Sequence, residues 1–228
     1  RTKTFINNSH YSNINLFYLS FNINQYCFIN NFLIMKLKIY KFKKVTSTND
    51  IAIKLIKKEK KQSGCIYADI QTKGRGSGGK KWISKKGNLF SSIFFSLKKN
   101  YPSFHEFAII NPVLVSDTIN KFCNIRRINF KFPNDILINN KKVCGLLQEV
   151  ITFNNKQFLI IGIGINIISN PNIKNKYEAT NIVSETNFKP QISELIKELI
   201  TSYERFFDDI NQYNYITYKK KTELMAVK

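Results

Sequence analysis

Apolar and polar positions along the chain fall into blocks whose period switches between two and 3.6. Leu37 to Lys43 predicts a short strand. In TSTNDIAIKLIKKEKK, residues Ile51, Ala52, Leu55 and Ile56 share one helical face, with Ser47 or Thr48 placed as the N-cap. CIYADIQ is a strand running into QTKGRGSGGKKW, a loop with four glycines and four basic side chains, and NLFSSIFFSL is a buried strand. Ser103 and Glu106 form a capping box for a helix to about Phe122, which Pro112 is expected to kink or split. RINFKFPNDILINNKKVCGLLQEV predicts a strand, a proline-containing turn and a hairpin about Asn139-Asn140. KQFLIIGIGINI is a further apolar strand. From Gln191 to about Asp209, Ile192, Leu195, Ile196, Leu199, Ile200 and Tyr203 make an amphipathic helix.

These elements predict an α+β fold, a mixed β-sheet flanked by helices, with no internal repeat. Residues 1–34 differ in texture: rich in Asn, Phe and Tyr, without acidic residues and without a sustained period. They read as an extension outside the fold or as a targeting presequence, and Met35 reads as a natural start. The expected division is an extension over 1–34, the folded domain over 35–209 and a tail over 210–228.

Composition narrows the class. With 43% hydrophobic residues the 228-residue chain can bury a real core. The formal charge of +21 invites nucleic acid or phosphate-bearing ligands. The abundance of Lys, Asn and Ile also fits coding bias in an AT-rich genome, which would spread lysines over a solvated surface. Cys27, Cys65, Cys123 and Cys144 are scattered, with only His10 and His105 to join them, so a zinc site is not expected and a reduced, cytoplasmic protein is. No apolar run approaches the length of a membrane span.

The glycine loop lets the backbone approach a ligand closely, and Lys73, Arg75, Lys80 and Lys81 suit it to a phosphate. A mobile surface loop with solvated lysines reads equally well on composition alone. GRGSGGKKW lacks the ending of a Walker A loop, and Ile167 stands where a dinucleotide fingerprint in GIGIN would need its third glycine. KFPNDI clusters Lys131, Asn134 and Asp135 at a strand end, where a turn would also explain Pro-Asn-Asp; STN has an equal reading as a helix cap.

Taken in order, STND, QTKGRGSGGKKW, KFPNDILINNKKVCGLLQE and GIGINI resemble the catalytic domain of biotin protein ligases, over about Met35 to Phe207. The resemblance implies a fold related to class II aminoacyl-tRNA synthetase catalytic domains. It places Ser47, Thr48, Asn49 and Gln71 on the biotin head group, and Arg75, Gly76 and Ser77 in the loop closing over biotin and the adenylate. It gives Trp82 an adenine to pack against, and makes Lys131 the bridge between biotin's carboxylate and the α-phosphate. Gly145 would line the biotin pocket, Asn134 and Asn166 would contact the nucleotide, and Asp135 would orient or deprotonate the acceptor lysine, a structural role at the turn being the alternative.

The implied reaction uses biotin and ATP with Mg2+, forms biotinyl-AMP, and modifies a lysine of a biotin carboxyl carrier protein. No protein metal ligand is assigned. A monomer or homodimer without DNA or membrane partners is expected, since no helix-turn-helix precedes Met35 and the small C-terminal β-domain of many members is missing or truncated. Phe132 replaces the family's usual Trp, and Ser77 stands where many members carry a second loop arginine, which predicts a looser hold on the adenylate. The alternatives are a lipoate or octanoate ligase and, from another class, a basic nucleic-acid-binding module.

Overall fold

The computed structural model describes residues 35–123, 128–171 and 178–227. The period-two segments become β1 (Ile39–Val45), β2 (Ser63–Gln71), β3 (Leu89–Ser96), β4 (Ile128–Lys131), β5 (Asp135–Ile138), β6 (Lys141–Phe153) and β7 (Lys156–Ile165). They pair into one seven-stranded sheet in the order β1-β2-β3-β7-β6-β5-β4. Only β1 and β2 are parallel, joined by the crossover helix α1 (Thr48–Lys57); the other pairs are antiparallel.

Helices cover both faces. The stripe predicted for α1 packs Ala52, Leu55 and Ile56 onto Ile66, Phe94, Phe158 and Ile160. The opposite face carries α2 (Phe104–Cys123) and α4 (Ile192–Asp208), whose aromatic residues meet the sheet at Phe95. The Phe95 ring lies 4.8 Å from Phe207 and 5.3 Å from Phe107. Helices on both faces explain why β3 is buried almost throughout rather than at alternate residues.

The hairpin expected at Asn139-Asn140 is present, with φ of 50° and 63°. A second, not read from the sequence, joins β6 to β7 at Asn154-Asn155 with φ of 49° and 58°. Paired left-handed residues match the twist of a two-residue hairpin, and asparagine tolerates that region better than other side chains.

The Ser103–Glu106 capping box is also present, with Ser103 N donating to Glu106 Oε2 at 2.8 Å. Pro112 does not split this helix: Phe104–Cys123 is one continuous helix with Pro112 inside it, so of the expected kink or split the second is corrected. A proline removes a donor from the preceding turn. The carbonyl so freed is that of the exposed Ala108; the next one, Ile109, accepts from Thr222 Oγ1 at 3.1 Å. Thr222 is the buried residue of α5 (Tyr215–Met225), a helix that the alternation did not disclose because it has almost no apolar side. Residues 210–227, expected as a tail, thus contribute a helix packed on α2, and Val227 N donates to Phe130 O at 3.1 Å. A short α3 (Ile182–Thr186) follows β7.

Lys36–Lys228 forms one compact unit. The expectation for residues 1–34 lies outside the described residues, as do Cys27 and His10. Thr222→Val, which keeps the shape and removes the hydroxyl, should lower unfolding stability by about 1 kcal/mol. Urea titration measures this, and an unchanged midpoint would show that Ile109 does not depend on the bond.

Candidate functional site

At the start of α1 three polar residues are buried: Ser47 is 3% exposed, Thr48 3% and Asn49 2%. Ser47 occupies the N-cap position, yet its side chain makes no capping hydrogen bond. Helix capping therefore does not account for this cluster. Gln71, the last residue of β2, turns its Oε1 to Thr48, accepting from the backbone N at 2.8 Å and the hydroxyl at 3.1 Å. Its Nε2 donates to Ser84 Oγ at 3.1 Å. Ser92 of β3 lies 2.7 Å from Thr48 Oγ1 and bonds Asn49 Oδ1.

The glycine loop folds back on itself over this cluster. Gly76 N donates to Lys80 O at 2.7 Å, Trp82 N donates to Gly74 O at 2.9 Å, and Arg75 pairs with Lys81. Trp82 then lies against β6 and β7. A Cβ at Gly145 would stand 2.5 Å from the indole, as would one at Gly164, and one at Gly162 would stand 2.7 Å from Asn49 Oδ1. Such distances are impossible for a real side chain, so the glycines of VCGLL and GIGIN form a floor on which the indole and Asn49 rest.

Together these elements enclose a cavity of about 140 Å³. Of the residues expected at the site, Ser47, Thr48, Asn49, Gln71, Arg75, Gly76, Ser77, Trp82, Asn134, Gly145 and Asn166 all line it. Asn134 Nδ2 donates to Ser77 Oγ at 3.1 Å, tying the loop to the turn after β4. Asn166 Oδ1 and Trp82 Nε1 are buried polar atoms of this wall without a hydrogen-bond partner.

Lys131 and Asp135 are not among the lining residues; Lys142 is. The Lys142 ammonium lies 2.6 Å from an Asp135 carboxylate oxygen and 5.4 Å from the centre of the Trp82 ring. Strict alternation from Gly145 would turn Val143, not Lys142, to this face. The register slips between Ile136, opposite Cys144, and Leu137, opposite Lys142, and this bulge reverses the phase.

Two acidic groups were also not singled out. Glu149 Oε2 accepts from Asn49 Nδ2 and from Arg75 Nη2, each at 2.6 Å, and Asp50 bonds the other arm of the guanidinium. Partial burial pulls the Arg75 pKa down, but the bond to and charge of Glu149, and then Asp50, outweigh it and hold the group above its ordinary value. Glu149 was legible in principle, since it shares the period-two face of Gly145 and Leu147.

Thiol chemistry is not poised here. Burial pushes Cys65 up to about 12 and Cys123 to about 11, and raises Cys144 further, so these thiols stay protonated at neutral pH. Among the described residues no group of three or more His, Cys, Asp or Glu could hold a metal ion, and no helix is long and apolar enough to cross a membrane.

The model of the biotin/lipoate A/B protein ligase family matches residues 41–166, from β1 through the last strand of the cavity floor. The chain belongs to that family. A relative within it, the bifunctional ligase/repressor BirA of Bacillus subtilis, is 28% identical over 188 residues, 80% of this chain and 58% of that protein. The Escherichia coli BirA is 29% identical over 125 residues, 54% of this chain and 38% of that protein. The chain thus spans less than two thirds of either. Among solved family structures, the biotin protein ligase of Aquifex aeolicus in complex with biotin and ATP superposes with a TM-score of 0.70 at 27% identity, covering 83% of this chain and 78% of that one. The Leishmania major enzyme in complex with biotin shares the fold, with a TM-score of 0.74 at 23% identity over 84% and 82%.

Trp82 is the chain's single tryptophan, so intrinsic fluorescence reports on this loop alone. Gly164→Ala forces the indole off the sheet and should shift its emission to longer wavelength while far-UV circular dichroism holds. An unshifted spectrum would show that the contact is not maintained in solution.

Proposed function

We propose that the chain is a biotin protein ligase, activating biotin with ATP and passing it to a lysine of a biotin carboxyl carrier protein. The observation that carries this reading is one cavity walled both by buried neutral donors and acceptors (Thr48, Asn49, Gln71) and by cationic groups (Lys80, Lys81, Lys142). A neutral ureido ring requires the first set and a carboxylate meeting a phosphate requires the second. The Aquifex aeolicus relative, solved with biotin and ATP, supports the same pairing of ligands.

In the first half-reaction a carboxylate oxygen of biotin bonds to the α-phosphorus of ATP, the bond to the bridging oxygen breaks, and pyrophosphate leaves. In the second, the neutral ε-amine of the acceptor lysine bonds to the acyl carbon, AMP leaves with the bonding electrons, and the amine gives up a proton. Activation is needed because a free carboxylate is a poor acyl donor. Negative charge builds where two anions meet, and a fixed cation there stabilises the transition state more than the ground state. Lys142 shares this bridging role with Lys131, a reading supported by the place of Lys142 in the wall and its anchoring to Asp135. Asp135 then positions Lys142 rather than deprotonating the acceptor. Trp82 offers an aromatic wall for the adenine, and Asn166 a polar atom beside it. Among the described residues no three or more His, Cys, Asp or Glu gather to hold a metal ion; magnesium would accompany the ATP phosphates, and no step is assigned to it.

Incubation with biotin, Mg-ATP and an apo carrier domain should add one biotinyl group to the carrier lysine. Lipoate or octanoate should not replace biotin in driving pyrophosphate exchange, and activation of either in its place would overturn the substrate assignment. Lys142→Ala and Lys131→Ala should each cut exchange by about 100-fold or more. Near-normal exchange in either variant would remove that lysine from the bridge.

A further inference from the structure

We infer that Glu149 is a positioning residue with two separable duties: it orients the Asn49 amide toward the neutral ring of the substrate, and its charge holds Arg75, and with it the glycine loop, across the cavity before substrate enters. The first duty rests on the biotin reading above; the second stands on the geometry alone.

One atom serves both. Glu149 Oε2 accepts from Asn49 Nδ2 at 2.6 Å and from Arg75 Nη2 at 2.6 Å, as a carboxylate oxygen with two lone pairs can. The other end of the amide is fixed as well. Asn49 Oδ1 bonds Ser92 Oγ and sits over Gly162, where a Cβ would stand 2.7 Å away. With Oδ1 committed to Ser92, the amide can satisfy Glu149 only by presenting its NH2 group, which leaves one N–H for a ligand acceptor. Asn49 is 2% exposed, so without Glu149 this donor would lose a partner that water does not readily replace.

The second duty depends on charge. Arg75 ties the loop to β6 by its bond to Glu149, and Asp50 supplies the other carboxylate, from the first turn of α1. A bond between ions is about twice as strong as a neutral one, so a neutral acceptor of the same shape serves Asn49 but not Arg75. Asp50 has no bond to Asn49 among the described contacts, and therefore only the loop-holding duty.

The test separates the duties. Biotin affinity is measured by calorimetry, and protection of the 74–82 amides by hydrogen exchange in the ligand-free protein. Glu149→Ala should weaken biotin by about tenfold and expose the loop amides. Glu149→Gln should restore biotin affinity to near that of the unaltered protein, because its carbonyl still accepts from Asn49, while loop protection stays low. Asp50→Asn should lower protection and leave biotin affinity in place. If Glu149→Gln restores both properties or neither, a single structural role replaces the two duties. If Glu149→Ala changes neither, Glu149 positions nothing. If the unaltered protein binds no biotin, the ligase reading and the first duty both fail, and the exchange data alone decide the second.

Discussion

The architecture of the site depends on a flat aromatic ring lying directly against the backbone of two neighbouring strands. Any side chain at 145 or 164 would lift the Trp82 indole away, and with it the C-terminal stem of the glycine loop. With the ring seated, the loop is tied to the turn after β4 through Ser77 and Asn134, and to α1 and β6 through Arg75. The neutral cluster at the start of α1 then becomes the interior of a cavity instead of a polar patch on a helix end. Glycine here provides thinness beneath a ring, a different use from the flexibility its abundance in the loop first suggests.

Charge is organised locally against a very uneven background. The chain carries 36 basic and 15 acidic residues, yet at the cavity Arg75 faces Asp50 and Glu149, and Lys142 faces Asp135. Paired cations are held in place where unpaired ones would range over many rotamers. Preorganised charge of this kind suits a reaction that brings two anions together.

Much of this was legible from residue order. Long, strongly patterned elements such as α1, β3 and α4 follow from their apolar spacing, and the motifs of the loop, KFPND and GIGIN converge on one cavity. What stayed hidden has specific physical causes. Lys142 faces the site because a bulge reverses the strand's phase, and a period-two pattern cannot register an inserted residue. The residues around Pro112 give no local sign that the helix runs on through it, and α5 has no apolar stripe to betray it. Glu149 had the right parity, but a lone acid at a strand's far end carries no motif. Local periodicity discloses elements; it does not disclose the long-range bonds that decide which residues of an element matter.

The pairing of β3 with β7 joins Leu89–Ser96 to Phe158–Ile165 in the middle of the sheet. The chain between them runs through α2 and three antiparallel turns from β4 to β7, so the seam is the least local strand pairing of the sheet. Ser92 and Gly162 face each other across that seam, directly beneath Asn49. Loop-closure entropy makes such distant pairings late events in folding. The βαβ unit and the hairpins can each gather from nearby residues, but the floor of the cavity exists only after the seam closes. During synthesis, no ligand-binding surface is complete until β7 has left the ribosome, and competence for binding arrives together with the closure of the sheet.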